Sequence, residues 1–167
     1  MTVGDGTGAA RTAVTERIER WLRERDVGFR VLEHAPARTS EDAARERGTP
    51  LEAGAKALVV RAEDRFVHCV LPAHLKADNA RLRALVGTRT LRFATPDELQ
   101  TVTGCAPGAV PPFGNLFGLA VLLDETLCRN ERVAFNAGST TVSITMRCED
   151  LVRLAGATVC HFAVTSA

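Results

Sequence analysis

The chain has 167 residues, 25% of them charged, and a formal net charge of +1 from 21 basic and 20 acidic side chains. That length suits one domain with a single good core, and so balanced a charge excludes a protein-wide field for nucleic acid, leaving only a local patch to attract it. Cys69, Cys105, Cys128, Cys148 and Cys160 are odd in number and widely spaced without a C-x-x-C pair, which argues against a disulfide framework or zinc site and for reduced thiols in a cytoplasmic protein.

Residues 1–12 lack an apolar run and read as a flexible tail. No stretch approaches the roughly 18 apolar residues of a membrane span, so one domain is expected over 13–167. Val14, Ile18, Trp21 and Leu22 recur at helical spacing between Ala13 and Asp26, with Trp21 as core anchor and Gly28 as the stop. Phe29, Val31 and His34 alternate as a short strand running into His34-Ala35-Pro36. Thr39 or Ser40 caps a second helix, acidic at Glu41 and Asp42, that runs through Arg47 to Gly48.

The apolar runs 55–60 and 66–71 read as a hairpin about Glu63-Asp64. A third helix is expected over 73–86, ended by Gly87, and a strand over 90–94. Thr95-Pro96-Asp97-Glu98 joins a cap, a first-turn proline and acids, a specific helix start. Beyond the loop 104–118 come strands at 119–123 and 132–135, a turn at Asn136-Ala137-Gly138-Ser139, and an alternating strand at 142–146. A short helix at 149–154 and a strand at 158–162 close the chain. Strands joined by short turns favour a mixed, largely antiparallel α+β domain over a doubly wound nucleotide fold.

Three features carry chemistry. The stretch from Gly104 to Gly118 packs four Gly and three Pro into fifteen positions, the composition of a rigid, shaped loop that can present backbone N–H groups, or of an ordered turn. Lys56 opens an Ala/Leu/Val strand in a chain with two lysines and nineteen arginines. A compact ammonium there can bind phosphate or polarise a carbonyl; an edge-strand lysine that blunts aggregation is the competing reading. Between Lys76 and Arg92 five basic residues meet one acid, Asp78, a local excess able to meet a phosphate backbone. The four histidines have no metal-ligand spacing, with His34 best placed for function because it leaves a strand end. Neither a G-x-S-x-G elbow nor a P-loop is present. Cys105 is a thiol candidate within the loop, though a small apolar filler fits its position better.

In this order and spacing, His34-x-Pro36, Lys56, Gly104-x-x-Pro107-Gly108-Ala109-Val110-Pro111-Pro112-Phe113-Gly114 and Phe135-Asn136-Ala137-Gly138-Ser139 resemble the YbaK family, freestanding relatives of the editing domain inserted in bacterial prolyl-tRNA synthetase. The resemblance covers residues 13–165. It implies a compact α+β domain with a barrel-like sheet flanked by helices, and an aminoacyl-tRNA deacylase of tRNA(Pro) or a similar tRNA that uses neither metal nor organic cofactor. Its partners would be mischarged tRNA and, as a further candidate, an aminoacyl-tRNA synthetase. Carried over by motif, Lys56 and Gly108 are the catalytic candidates. His34, Ala109, Val110, Pro111, Pro112 and Phe113 would bind substrate, with Asn136, Ala137, Gly138 and Ser139 as the opposite wall. Lys76, Arg81, Arg83 and Arg89 are the tRNA-binding candidates. Thr140 stands where many relatives carry His, which bears on the amino acid removed. A non-catalytic tRNA- or protein-binding module that keeps the pocket is the alternative.

Overall fold

The computed structural model describes residues 11–165. Residues 1–10 of the expected tail lie outside that range, whereas Arg11 and Thr12 are anchored: Arg11 pairs with Glu19 and Glu33, and the Thr12 hydroxyl accepts the Thr15 N–H as a helix cap. The elements run α1 (Ala13–Glu24), β1 (Phe29–Glu33), α2 (Ser40–Arg47), β2 (Ala55–Ala62), β3 (Arg65–Pro72), β4 (Lys76–Ala77) and α3 (Asn79–Val86). They continue with β5 (Arg92–Phe93), α4 (Pro96–Thr103), β6 (Ala120–Asp124), β7 (Arg132–Ser139), β8 (Val142–Arg147), α5 (Cys148–Ala155), β9 (Thr158–Cys160) and β10 (Ala163–Val164).

The strands form three sheets, β1-β8-β7, β5-β2-β3-β6-β9 and the pair β10-β4. The first is antiparallel; the second is antiparallel through β5-β2-β3 and parallel through β3-β6-β9. The α+β class is as expected, but these sheets pack against one another and among the described residues do not close into a barrel. The main core joins Ile18 and Leu22 of α1 to Leu123, Phe135 and Ile144 of the two larger sheets, each side chain contributing about 1.5–3 kcal/mol on burial. Trp21 is half-buried and meets the Phe113 ring edge-on, with centroids 5.1 Å apart.

Local differences from the sequence reading have tertiary causes. Helix α1 stops at Glu24 because Asp26 takes a left-handed φ of 54°. The helix expected over 73–86 begins only at Asn79, capped by Asp78, because Lys76 and Ala77 pair with Val164 and Ala163 of β10. The strand expected over 90–94 pairs only at Arg92 and Phe93. The strand expected over 158–162 breaks at a corner where the buried Asp124 carboxylate accepts the N–H groups of Phe162 and Ala163 at 2.8 and 2.7 Å. The turn expected at Asn136–Ser139 is instead the end of β7, with a register irregularity against β8 of the kind a bulge introduces.

Candidate functional site

Gly54 bridges to Ala134 of β7, which brings the start of β2 beside that strand. Lys56, Gly108, Val110, Asn136 and Arg47 thereby line one cleft of about 270 Å³. The Lys56 ammonium is half-buried and has no hydrogen bond or ion pair among the described residues. Burial pushes its pKa below the ordinary lysine value, since leaving water disfavours the charged form.

The loop opposite Lys56 is held on several sides. Gly108, at φ 84°, turns the chain in a conformation that suits glycine. The Gly108 carbonyl accepts from Asn136 Nδ2 at 2.7 Å, and the Ala109 carbonyl accepts the Gly138 N–H at 2.9 Å. The Pro111 carbonyl accepts from His68 Nε2 at 2.9 Å. Ala109 spends its own N–H on Ala106 O, whereas the N–H groups of Gly108 and Val110 meet no acceptor among the described residues. Pro111, Pro112 and Phe113 are buried behind this turn, with the Phe113 ring between Trp21 and Phe135. They brace the loop without lining the cleft. His68 is wholly buried with its Nδ1 unpartnered; burial lowers its pKa to about 4 despite the opposing effect of the Pro111 hydrogen bond.

Two residues that the sequence reading passed over organise the wall, Arg47 within it and the buried Ser143 behind it. Arg47 donates from Nε to Ser143 Oγ and from Nη2 to Asn136 Oδ1, both at 2.9 Å. Its acceptors are neutral, and burial lowers its pKa to about 10. Ser143 Oγ also lies 2.6 Å from His34 Nε2, while His34 Nδ1 lies 2.8 Å from Ala35 O. A carbonyl only accepts, so Nδ1 carries the proton and Nε2 accepts from the serine. His34 thus supports the site through Ser143 and Arg47 and does not itself line the cleft.

Residues 34–154 match the family model of the aminoacyl-tRNA editing domain. The chain belongs to that family. It is 32% identical to the multifunctional Ser/Thr-tRNA deacylase ProXp-y of Escherichia coli over 166 residues, 96% of this chain and 99% of the relative. It is 26% identical to the prolyl-tRNA editing protein ProX of Acetoanaerobium sticklandii, covering 87% of this chain and 90% of that protein. Among solved structures, a candidate trans-editing enzyme for prolyl tRNA synthetase superposes with a TM-score of 0.84 at 29% identity, covering 93% of this chain and 99% of the other.

In this editing domain the segment read as the opposite wall divides in two. Asn136 faces the cleft, but Ala137, Gly138 and Ser139 are buried and serve the packing of α1. Thr15 Oγ1 donates to Ala137 O at 2.6 Å and Thr12 Oγ1 to Gly138 O at 3.1 Å. A Cβ on Gly138 would lie 2.9 Å from Val14. The Ser139 hydroxyl lies 3.0 Å from that of Thr141. Thr140 is the neighbour of Gly108, its methyl 3.8 Å from where a Cβ there would sit.

Lys76 shares with Lys56 a second cleft of about 560 Å³. Arg81 donates to His161 Nε2 at 2.7 Å, Arg83 is half-buried and Arg89 is exposed. Cys105 of this editing domain is buried outside the cleft lining, with burial raising its pKa and its thiol 3.6 Å from Thr103 O, the setting of a small apolar filler.

Proposed function

We propose that this protein is a trans-editing deacylase that hydrolyses the ester between a wrong amino acid and the 3′ adenosine of a tRNA. The observation that carries this reading is an unpaired ammonium, Lys56, facing a rigid loop whose Gly108 and Val110 N–H groups are unspent. An activated ester needs a positioned nucleophile and stabilisation of the oxyanion that forms when it attacks. Water attacks the carbonyl carbon and gives a proton to solvent; the tetrahedral intermediate collapses with cleavage of the ester C–O bond, and the departing ribose oxygen takes a proton from solvent. Preorganised N–H donors in comparable acyl transfers supply about 2.7–4 kcal/mol each. In this reading Lys56 acts as an ammonium on the carbonyl oxygen or the adjoining phosphate.

The substrate reading is tRNA(Pro), or a similar tRNA, carrying a small hydroxylated amino acid. The Escherichia coli relative's name, a Ser/Thr-tRNA deacylase, supports that choice. Lys76, Arg81, Arg83 and Arg89 form the tRNA-contacting surface, and a synthetase delivering the mischarged tRNA is the further partner. The test is a panel of tRNA(Pro) charged with Ser, Thr, Ala, Cys or Pro. Hydrolysis of the Ser or Thr ester with sparing of the Pro ester is expected; binding without turnover of any member would replace this reading with a binding module.

A further inference from the structure

Phe93 is the most exposed of the large apolar side chains among the described residues, at 54%. Single exposed apolar residues are common, but this one belongs to a built concavity. With Leu58, Ala77 and Val164 it supplies the apolar lining of the 560 Å³ cleft, whose cations are Lys56 and Lys76. Lys56 also lines the 270 Å³ cleft, so one ammonium stands between the loop and the aromatic ring. Asp78, the one acid of the second cleft, is committed to capping α3 through the Arg81 N–H.

We infer that Phe93 is a stacking platform for a nucleobase of the single-stranded 3′ end of the RNA, with Lys76 at the adjoining phosphate; this rests on the deacylase reading. With the ester held between Lys56 and Gly108, the nucleotides before it must leave through an opening beside that cleft. Among the described residues, two neighbouring clefts share side chains with it. The one beyond Arg47, about 520 Å³, offers Arg30 and Arg132 but no aromatic ring. The Phe93 opening combines a cation for the backbone with a π-face for a base, the pairing by which proteins hold single strands without reading their sequence.

The platform is also tied rigidly to the chemistry. Phe93 pairs with Val60 of β2, and the Ala94 N–H donates to Val59 O at 2.9 Å. Val60 and Lys56 lie on one strand about 13 Å apart at ~3.3 Å per residue, within reach of the last two or three nucleotides.

The experiment compares wild type, Phe93→Ala and Phe93→Trp in deacylation of mischarged tRNA and in binding of an uncharged RNA oligonucleotide ending in CCA. Phe93→Ala is expected to raise KM about 10-fold with kcat unchanged, and Phe93→Trp to restore wild-type KM. The Phe93→Trp fluorescence is expected to be quenched by the oligonucleotide, beyond the response of wild type, whose single tryptophan is Trp21. An unchanged KM in Phe93→Ala, or absence of the added quenching, overturns the platform while leaving the deacylase reading intact. Quenching by the oligonucleotide in a protein that hydrolyses no mischarged tRNA supports the platform and overturns the deacylase reading.

Discussion

Arg47 and the pair Arg61 and Arg92 hold the same guanidinium group in opposite settings. Arg61 and Arg92 converge on Glu98, with contacts of 2.7 to 3.0 Å. Glu98 also accepts the Thr95 N–H to close a capping box. The Arg92 hydrogen bonds, then the Thr95 N–H, hold the Glu98 carboxyl well below the usual carboxylate range, and Glu98 in turn raises Arg92. Charge there is consumed in fastening β5 to α4. Arg47 has only neutral oxygens around it, Lys56 has no partner, and burial lowers both. A net charge of +1 therefore conceals three cations, Arg38, Arg47 and Lys56, in one cleft with no carboxylate partner among the described residues, while the basic count between Lys76 and Arg92 overstates that surface because Arg92 is already spent.

The sharpest way to break this contrast is Lys56→Ala. Deacylation should fall about 100-fold, with no loss of Tm, because the lysine gives the fold no partner and its burial disfavours the charge. Equal losses of activity and Tm would make Lys56 a structural residue.

His68 belongs with the groups that burial disfavours, and it reports on the loop. Its folded pKa of about 4 lies below the ordinary 6.5, so between those values the unfolded chain binds a proton that the folded one refuses. Stability is thus fully present above pH 6.5 and declines toward pH 4, by about 3 kcal/mol in all. Urea denaturation of wild type and His68→Gln across this range measures it; parallel curves would show that His68 does not titrate in this way.

Arg47→Met keeps a long side chain and removes the cation from Ser143 and Asn136. We expect about a 10-fold loss of deacylation, since Asn136 holds the Gly108 carbonyl, and a smaller loss in Arg47→Lys. The smallest effect belongs to the paired cluster. Glu98→Gln should lower Tm slightly, more at low salt than at high, and leave deacylation within about twofold. A large activity loss there would erase the distinction between the two arginine settings.

Lys56 stood out in the sequence because it breaks a local pattern, a lysine in an arginine-rich chain, whereas composition marked only the loop 104–118 and the family resemblance was needed to single out Gly108; that the two line one cleft is a tertiary fact. The cap at Thr95 and Glu98 was legible because its bonds are local. Arg47 was hidden in the run Ala43-Ala44-Arg45-Glu46-Arg47, where its neighbours are surface charges of the same type. The small Ala43 and Ala44, one turn earlier, were the available sign that this side of α2 faces inward. Ser143 looked like the polar half of an alternating strand, and only the return of α2 over β8 gives it work. The Asn136–Ser139 segment has turn composition, yet pairing with β8 and the approach of α1 override it, so Asn136 alone of those four lines the cleft.

The hydrogen bonds from Thr12 and Thr15 to Gly138 and Ala137 join positions 126 and 122 residues apart. During synthesis, a chain that has just released Lys56 and Gly108 from the ribosome still lacks β7, β8 and the seat of its own first helix. The cleft is therefore one of the last parts of the molecule to be assembled, and a prematurely terminated product would carry Lys56 and Gly108 without the Asn136 and Ser143 that organise them.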